Sequence, residues 1–285
     1  MEHLPAEPFF LNASPGKRFC LYYPPVEGMS LNQAFIYLHP FAEEMNKSRR
    51  MVALQAKAFA AMGFGVLQID LYGCGDSSGD FGEATWTIWK DDIAHAWQWL
   101  REKGFTSIHF WGLRLGALLA LDYAASEKVR IDDPAKFILW QPIVNGKSFL
   151  TQFLRLKLVN KLLSDDVDKT SNVQIFREKL KIGEWLEIAG YMLSPAMAVV
   201  IDELKLDRLV VRNSEIYWFE ITPEAGRGLP PACTTAVKTW NQSGIYPEVT
   251  LIPGLPFWAT QEISECPALL TATLESSRSF IGIQS

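Results

Sequence analysis

The junction between a short apolar run and a glycine-framed turn constrains the fold more than any other stretch of the sequence. Ser107–Trp111 has the length and apolar character of a buried strand, and it leads directly into Gly112-Leu113-Arg114-Leu115-Gly116. Leu115–Tyr123 follows and is apolar nearly all round, as in a helix packed close to a sheet. Glycines at both ends of the turn let strand and helix approach without a clash. The stretch therefore predicts a strand, a sharp turn and a buried helix, the repeating unit of parallel sheets.

The same alternation runs through most of the chain. Amphipathic periodicity predicts helices over Arg50–Met62 and Thr85–Lys103, each followed by a glycine that suits a helix end. Arg18–Pro25 indicates an edge strand, because its prolines fit an edge better than a centre. The pattern predicts an α/β fold with a mostly parallel sheet flanked by helices. Apolar runs place the buried strands at Ala34–Leu38, Gly65–Asp70, Ser107–Trp111, Lys136–Trp140, Ile216–Ile221 and Val249–Pro253.

Residues 143–208 interrupt this alternation. From Pro142 to Leu209 the sequence has helix-like patterns and no good strand, so we expect a helical cap inserted into a single domain of residues 1–285. Phe149–Leu163 mixes apolar residues with lysine and arginine, and such a helix can also lie on a membrane surface or recruit a partner. The cap is the favoured interpretation, because most apolar helix faces pack in a core.

Charge and cysteine content argue against several classes of protein. The net charge of −5 argues against nucleic-acid binding, because neutralising phosphates requires a basic surface. The N-terminus lacks the regions of a secretory signal, and no run approaches the ~20 apolar residues of a membrane span. We expect a cytoplasmic protein with reduced thiols and with no metal or cofactor. Its cysteines are far apart and form no cluster with histidine: Cys20, Cys74, Cys233 and Cys266.

Three motifs, in order along the chain, carry a resemblance to a known superfamily. The turn around Arg114 has the small-x-x-x-small pattern of a nucleophile elbow. His39-Pro40-Phe41 ends an earlier strand, and Asp70–Gly79 is a glycine-rich turn after the next strand. Together these motifs resemble the α/β-hydrolase superfamily. The resemblance implies that the backbone amides of Phe41 and Leu115 converge as an oxyanion hole.

Two longer strings carry a narrower resemblance. His39–Arg50 and Gly112–Ala117 resemble the exosortase A system-associated hydrolases, in particular their second type. That family is tied to the bacterial export sorting of PEP-CTERM proteins and to exopolysaccharide loci. The resemblance implies a role in bacterial cell-surface assembly, a setting to which the residue chemistry by itself does not point.

The positions of a Ser-His-Asp triad carry residues that do not fit its chemistry. Arg114 stands at the nucleophile position, and its guanidinium stays protonated without a lone pair for attack. The acid position, after Ile216–Ile221, corresponds to Glu224, and the histidine position corresponds to Pro256. No histidine follows His109 in the sequence. Ordinary Ser-His-Asp acyl transfer is therefore excluded at this site.

Arg114 suits a different task, the binding of an anion. A guanidinium at a helix N-terminus combines a planar fork of donors with free N–H groups, and Lys47 and Arg50 are candidates to assist. The favoured alternative is an internal ion pair with Glu43 or Glu44, because a charge near a core usually has a protein partner.

A further hypothesis keeps hydrolysis but moves the nucleophile. Cys74 and Ser77 flank Asp76 on the glycine-rich turn, and His39 is the histidine within reach of them as a base. Serines in such turns more often bond to the local backbone, and an isolated cysteine is more often a small buried hydrophobe.

Three functions follow from these alternatives. The first is a binding or accessory protein, a pseudoenzyme that holds an acyl or anionic ligand near Arg114. The second is an ester or thioester hydrolase with unconventional residues, and the third is a scaffold that recruits a partner or a membrane face through Phe149–Leu163. The lack of a histidine after His109 favours the first over the second.

Overall fold

A mostly parallel sheet with helices on both faces forms the centre of the molecule. The computed structural model describes residues 5–126, 135–163, 172–224 and 226–281, and only the backbone of 159–163. Its strands are β1 (Glu7–Asn12), β2 (Lys17–Tyr23), β3 (Gln33–Leu38), β4 (Gly65–Ile69), β5 (Ser107–Leu113), β6 (Lys136–Trp140), β7 (Leu186–Ile188), β8 (Tyr191–Leu193), β9 (Glu215–Thr222) and β10 (Glu248–Pro253). β7 and β8 form a separate hairpin, and the other strands form one sheet in the order β1-β2-β4-β3-β5-β6-β9-β10.

Helices cover both faces of this sheet. Their bounds are α1 (Glu43–Ala61), α2 (Trp86–Glu102), α3 (Leu115–Ala125), α4 (Gly146–Leu163), α5 (Val173–Lys181), α6 (Pro195–Glu203), α7 (Pro231–Gln242) and α8 (Pro267–Ser277). Alternate residues of each strand point to opposite faces and enter two apolar clusters. One cluster packs against α2 and α3, and the other packs against α1 and α8.

The six predicted strands are present, with ends that differ by at most two residues. Burial is confirmed for all of them except Val249–Pro253, which lies at the edge of the sheet as β10 and is mostly exposed or half-buried. The interpretation of Arg18–Pro25 as an edge strand is wrong, because β1 pairs antiparallel with β2 and lies outside it. The prolines follow the end of β2 at Tyr23, so they do not interrupt its ladder. The helix predicted at Arg50–Met62 begins earlier, at Glu43, because polar residues fill its first turns.

A buried ion pair anchors the antiparallel strands to the rest of the fold. Arg18 Nε lies 2.6 Å from Asp92 Oδ1, and both side chains are fully buried. Asp92 Oδ2 accepts a hydrogen bond from the backbone N–H of Tyr72 at 2.8 Å. The pair therefore ties β2 to α2 and to the loop after β4 in the interior.

The segment between β6 and β9 contains α4, α5, the β7–β8 hairpin and α6. The prediction that this segment has no strand is wrong, since three-residue strands are too short to leave an alternating pattern in the sequence. The predicted helix Phe149–Leu163 is present as α4, and Phe149 and Phe153 of its apolar face are buried against Phe41. Among the described residues, no helix is both long and apolar enough to cross a membrane.

Candidate functional site

Arg114 occupies a strained turn between β5 and α3. Its backbone has φ 56° and ψ −116°, a conformation that L-residues rarely adopt. Its N–H donates to the carbonyl of Trp140 at 2.9 Å, and its carbonyl accepts from the N–H of Ile143 at 3.4 Å. These bonds to the turn after β6 fix the strained residue at the carboxyl end of the sheet.

The two framing glycines explain why this turn can exist. A Cβ on Gly112 would lie 2.5 Å from the backbone of Ala117, inside the first turn of α3. A Cβ on Gly116 would lie 2.2 Å from the carbonyl oxygen of Leu38 at the end of β3. Both positions therefore require glycine, and the turn has the geometry that the sequence motif predicts.

The Arg114 guanidinium forms an ion pair with α1 and lies against two aromatic rings. Its Nε and Nη2 donate to Glu44 Oε1 at 3.3 and 3.2 Å. Its central carbon lies 5.3 Å from the ring centroid of Trp258 and 6.0 Å from that of Phe149. Of the two expected ion-pair partners, Glu43 and Glu44, the structure selects Glu44.

This ion pair leaves hydrogen-bonding capacity on both partners. No described residue accepts a hydrogen bond from Arg114 Nη1. Glu44 Oε2 is buried and has no hydrogen-bond partner among the described residues. Burial raises the pKa of Glu44, and the nearby Arg114 charge opposes that rise.

A cavity of about 410 Å³ opens above the Arg114–Glu44 pair. Most of its wall is apolar, and four charged side chains also line it. The lining residues are Phe41, Glu43, Glu44, Lys47, Arg114, Phe149, Gln152, Phe153, Leu156, Ala189, Trp258 and Ala259. A cavity of this size and lining suits a small ligand with an apolar body and a polar end.

A larger cavity, of about 650 Å³, lies at the opposite end of the sheet, beside the start of β9. It contains none of the predicted site residues. In parallel sheets ligands bind beyond the carboxyl ends of the strands, so the cavity above Arg114 is the candidate site.

Comparison with known proteins identifies the fold. No protein-family model matches the sequence, and the search of curated proteins gives no match. Est1E from Butyrivibrio proteoclasticus with bound ferulic acid superposes with a TM-score of 0.61 at 15% identity, over 96% of this chain and 97% of that one. The carboxyl esterase from Bacillus coagulans in complex with glycerol gives 0.61 at 14% identity, over 98% of each chain. A soluble variant of the Saccharomyces cerevisiae monoglyceride lipase, in complex with a substrate analog, gives 0.62 at 14% identity, over 98% of this chain and 95% of that one.

This chain has the α/β-hydrolase fold. Sequence identities of 14–15% to these structures establish the fold of this chain but not its activity. The chemistry must therefore be judged from the residues that stand at the positions where this fold usually carries a triad.

The loop in which we expected the histidine position lies between β10 and α8, residues 254–266. Pro256, the expected equivalent of the histidine, is exposed. The residue of this loop that lies over the guanidinium is Trp258, which is 5% exposed. Sequence reasoning missed Trp258, although an aromatic residue two positions after the proline was the available signal.

At the expected acid position, too, the buried side chain belongs to a residue other than the expected one. Glu224, the expected acid, is exposed after the end of β9. The buried carboxyl of this strand is Glu220, which accepts hydrogen bonds from Gln141 Nε2 at 2.7 Å and Trp218 Nε1 at 2.9 Å. Burial raises the pKa of Glu220. Gln141 Oε1 also accepts from the N–H of Ile221 at 2.6 Å, so this network holds the turn that supports Arg114. A buried glutamate within an otherwise apolar strand was the signal that sequence reasoning passed over.

His39 is fixed by backbone groups on both ring nitrogens. Nδ1 lies 2.8 Å from the carbonyl of Pro40, and Nε2 accepts from the N–H of Leu71 at 3.2 Å. Because Nε2 acts as an acceptor it carries no proton in this arrangement, and burial lowers the pKa of the ring, which favours the same neutral form. No hydrogen bond among the described residues joins His39 to Cys74 or Ser77.

The glycine-rich turn after β4 is likewise held by internal bonds. Ser77 Oγ donates to the carbonyl of Asp70 at 2.5 Å and accepts from the N–H of Phe19 at 2.9 Å. Cys74 is buried, and burial raises the pKa of its thiol far above the ordinary range. Asp76 is exposed, and its N–H donates to the Asp70 carboxylate at 3.2 Å. None of these residues lines the cavity above Arg114.

The remaining predicted site residues divide between the cavity and its surroundings. Lys47 lines the cavity, whereas Arg50 pairs with Glu265 in the loop after β10. Of the two candidates to assist Arg114, only Lys47 is thus among the residues that line the cavity. Glu43 lines the cavity and accepts from the Tyr191 hydroxyl of the β7–β8 hairpin at 3.1 Å. Two further expected residues are buried: Phe41 lines the cavity, and Leu115 begins α3.

Proposed function

We propose that this protein binds an amphipathic ligand, with an acyl chain in the cavity and an anionic head at Arg114, and does not carry out triad hydrolysis. The observation that carries the proposal is a guanidinium at the elbow of an α/β-hydrolase fold, beneath an apolar cavity of about 410 Å³. The fold delivers a substrate carbonyl to the elbow residue, and here that residue donates hydrogen bonds and cannot attack.

The head group of the ligand follows from the donors that the protein leaves free. Arg114 Nη1 and the Lys47 ammonium have no hydrogen-bond partner among the described residues, and both side chains line the cavity. A carboxylate or phosphate oxygen between them gains charge-assisted hydrogen bonds without breaking the Arg114–Glu44 pair. Glu43 does not compete with the ligand for these donors, because it accepts hydrogen bonds from Tyr191 and Asn46.

The apolar body of the ligand follows from the walls. Phe41, Phe149, Phe153 and Leu156 form a continuous apolar lining between the loop after β3 and α4. Trp258 closes the side next to the guanidinium. Such a lining favours an acyl chain over a sugar, since a sugar would leave its hydroxyl groups without partners.

The biological setting that we propose comes from the sequence strings that resemble exosortase A system-associated hydrolases. In that setting the protein is a cytoplasmic accessory factor that holds an acyl or lipid-linked anionic precursor during surface-polymer assembly. The degenerate triad then reflects a change from catalysis to binding.

Calorimetric titration with decanoate tests the binding proposal. The wild type is expected to bind decanoate more tightly than decanol, which has the same chain and no charge. Arg114→Gln is expected to weaken decanoate binding about tenfold or more, because a hydrogen bond to a charged group contributes about 1.5–3 kcal/mol. Arg49→Gln is the matched control, since Arg49 lies on α1 but pairs with Asp70 outside the cavity. Equal affinities for the wild type and Arg114→Gln would contradict the proposal.

A second candidate function is the hydrolysis of an ester or thioester by unconventional residues. It is favoured by the fold shared with esterases and a lipase. It requires a base, and His39 would have to give up its bonds to Pro40 and Leu71 to serve as one.

A further inference from the structure

The strand β10 forms one open edge of the sheet. The N–H of Gly254 donates to the carbonyl of Thr222 on β9 at 2.9 Å. Because backbone groups alternate in direction along a strand, Thr250 and Ile252 also face β9. The N–H and C=O groups of Val249 and Leu251 therefore point away from the sheet and have no partner among the described strands.

The middle of this edge, Val249–Ile252, lacks the charged residues and prolines that normally keep an open strand from pairing. The residues from Glu248 to Ile252 include no proline and no lysine. Large exposed apolar side chains lie on and beside the strand, namely Tyr246, Leu251 and Leu255, which are 76%, 37% and 59% exposed. Each edge strand carries one proline near an end, Pro253 at the end of β10 and Pro8 near the start of β1.

We propose that β10 pairs antiparallel with β10 of a second copy of this chain, joining the two sheets across a two-fold axis. The strand is complementary to itself when Thr250 lies on that axis. Val249 then stands opposite Leu251 of the partner subunit, and the two exchange both backbone hydrogen bonds. By symmetry, Leu251 and Val249 of the partner subunit do the same, which gives about four backbone hydrogen bonds in all.

The charges and prolines of the strand fit this register. Glu248 stands opposite Ile252 of the partner subunit, so the pairing brings no like charges together. Pro247 stands opposite Pro253 of the partner subunit at each end. Neither proline has an N–H to donate, so the ladder ends there on both sides.

The pairing also bears on the loop that carries Trp258. This loop begins directly after β10, and Leu255 at its start is exposed in the single chain. A second copy on the edge covers Leu255 and restrains the loop. The inference does not depend on ligand binding, because it rests on the edge strand alone.

Light scattering coupled to size-exclusion chromatography tests the pairing on the full chain. The wild type is expected to elute with about twice the 32.1 kDa mass of one chain. Leu251→Pro removes an N–H that faces away from the sheet, so the fold tolerates it and the dimer is lost. Leu251→Lys is the second variant, to be used if Leu251→Pro does not fold, and it is also expected to be a monomer.

The opposite edge supplies the matched control. Phe10→Lys makes the same kind of change on β1, where Phe10 is 55% exposed, and is expected to leave the dimer intact. Circular dichroism establishes that each variant is folded. A wild type that stays at the mass of one chain up to about 100 µM would overturn the proposal. A dimer that persists in folded Leu251→Pro or Leu251→Lys would also overturn it.

Discussion

Replacing Arg114 with alanine leaves the partly buried carboxylate of Glu44 without its ion-pair partner. Removing one partner of a fully buried pair costs about 3–5 kcal/mol, and an exposed pair contributes about 0–1 kcal/mol. The Arg114 and Glu44 side chains are 15% and 21% exposed, which places them between these limits. We therefore expect Arg114→Ala to lower the free energy of unfolding by about 2 kcal/mol at pH 8.

The cost of this substitution depends on pH with a definite sign. Burial raises the pKa of Glu44 in the folded state, and loss of the Arg114 charge raises it further. A carboxyl with a raised folded pKa favours folding at low pH, and that contribution is lost as pH rises through the folded pKa. The cost of Arg114→Ala is therefore expected to be smaller near pH 5 than at pH 8.

Urea unfolding at the two pH values, followed by tryptophan fluorescence, measures both effects. Arg49→Ala is the control, because its side chain is 42% exposed and its pair with Asp70 lies outside the cavity. A cost below about 0.5 kcal/mol for Arg114→Ala at pH 8 would refute the reasoning. A cost that does not change between pH 5 and pH 8 would refute the assignment of the effect to Glu44.

Three further predictions address the scaffold around the site. Gly116→Ala is expected to abolish the native elbow or to destabilise the fold by several kcal/mol, because its Cβ would meet the Leu38 carbonyl at 2.2 Å; calorimetric melting of the variant measures this. Arg18→Met is expected to cost about 3–5 kcal/mol in urea unfolding by leaving Asp92 buried and unpaired, and a loss no larger than that of a surface substitution would contradict this. Burial lowers the pKa of His109 to about 3, so its contribution to stability is expected to be lost as pH falls from about 6.5 towards that value. His109→Gln should flatten this part of the stability profile, and an unchanged profile would show that another group causes it.

The sheet and its elbow could be predicted from the sequence because they depend on local patterns. Parallel strands buried on both faces leave continuous apolar runs, and Ser107–Trp111 and Lys136–Trp140 are such runs. The elbow needs glycine at fixed spacing, so Gly112 and Gly116 mark it directly. The edge order could not be predicted, since the pairing of β1 with β2 depends on contacts outside any one segment.

The candidate site was predictable only in part, because its residues come from elements far apart in the chain. The sequence indicated that Arg114 would meet Glu43 or Glu44, and in the structure its partner is Glu44, in the first turn of α1. It did not indicate that Trp258 would lie over the guanidinium, since the course of the loop after β10 decides that contact. Glu220 was missed for a related reason: it lies on β9, whereas its partner Gln141 lies in the turn after β6, far away in the sequence.

The central claim, that this α/β-hydrolase fold binds at Arg114 and does not perform triad hydrolysis, is tested most directly by ester turnover. Short- and long-chain p-nitrophenyl esters are given to the wild type, to Arg114→Ser and to His39→Ala. We expect no turnover above background in the wild type, and none in Arg114→Ser, because no histidine follows His109 to activate the serine. Turnover by the wild type that His39→Ala abolishes would contradict the account and establish His39 as an unconventional base.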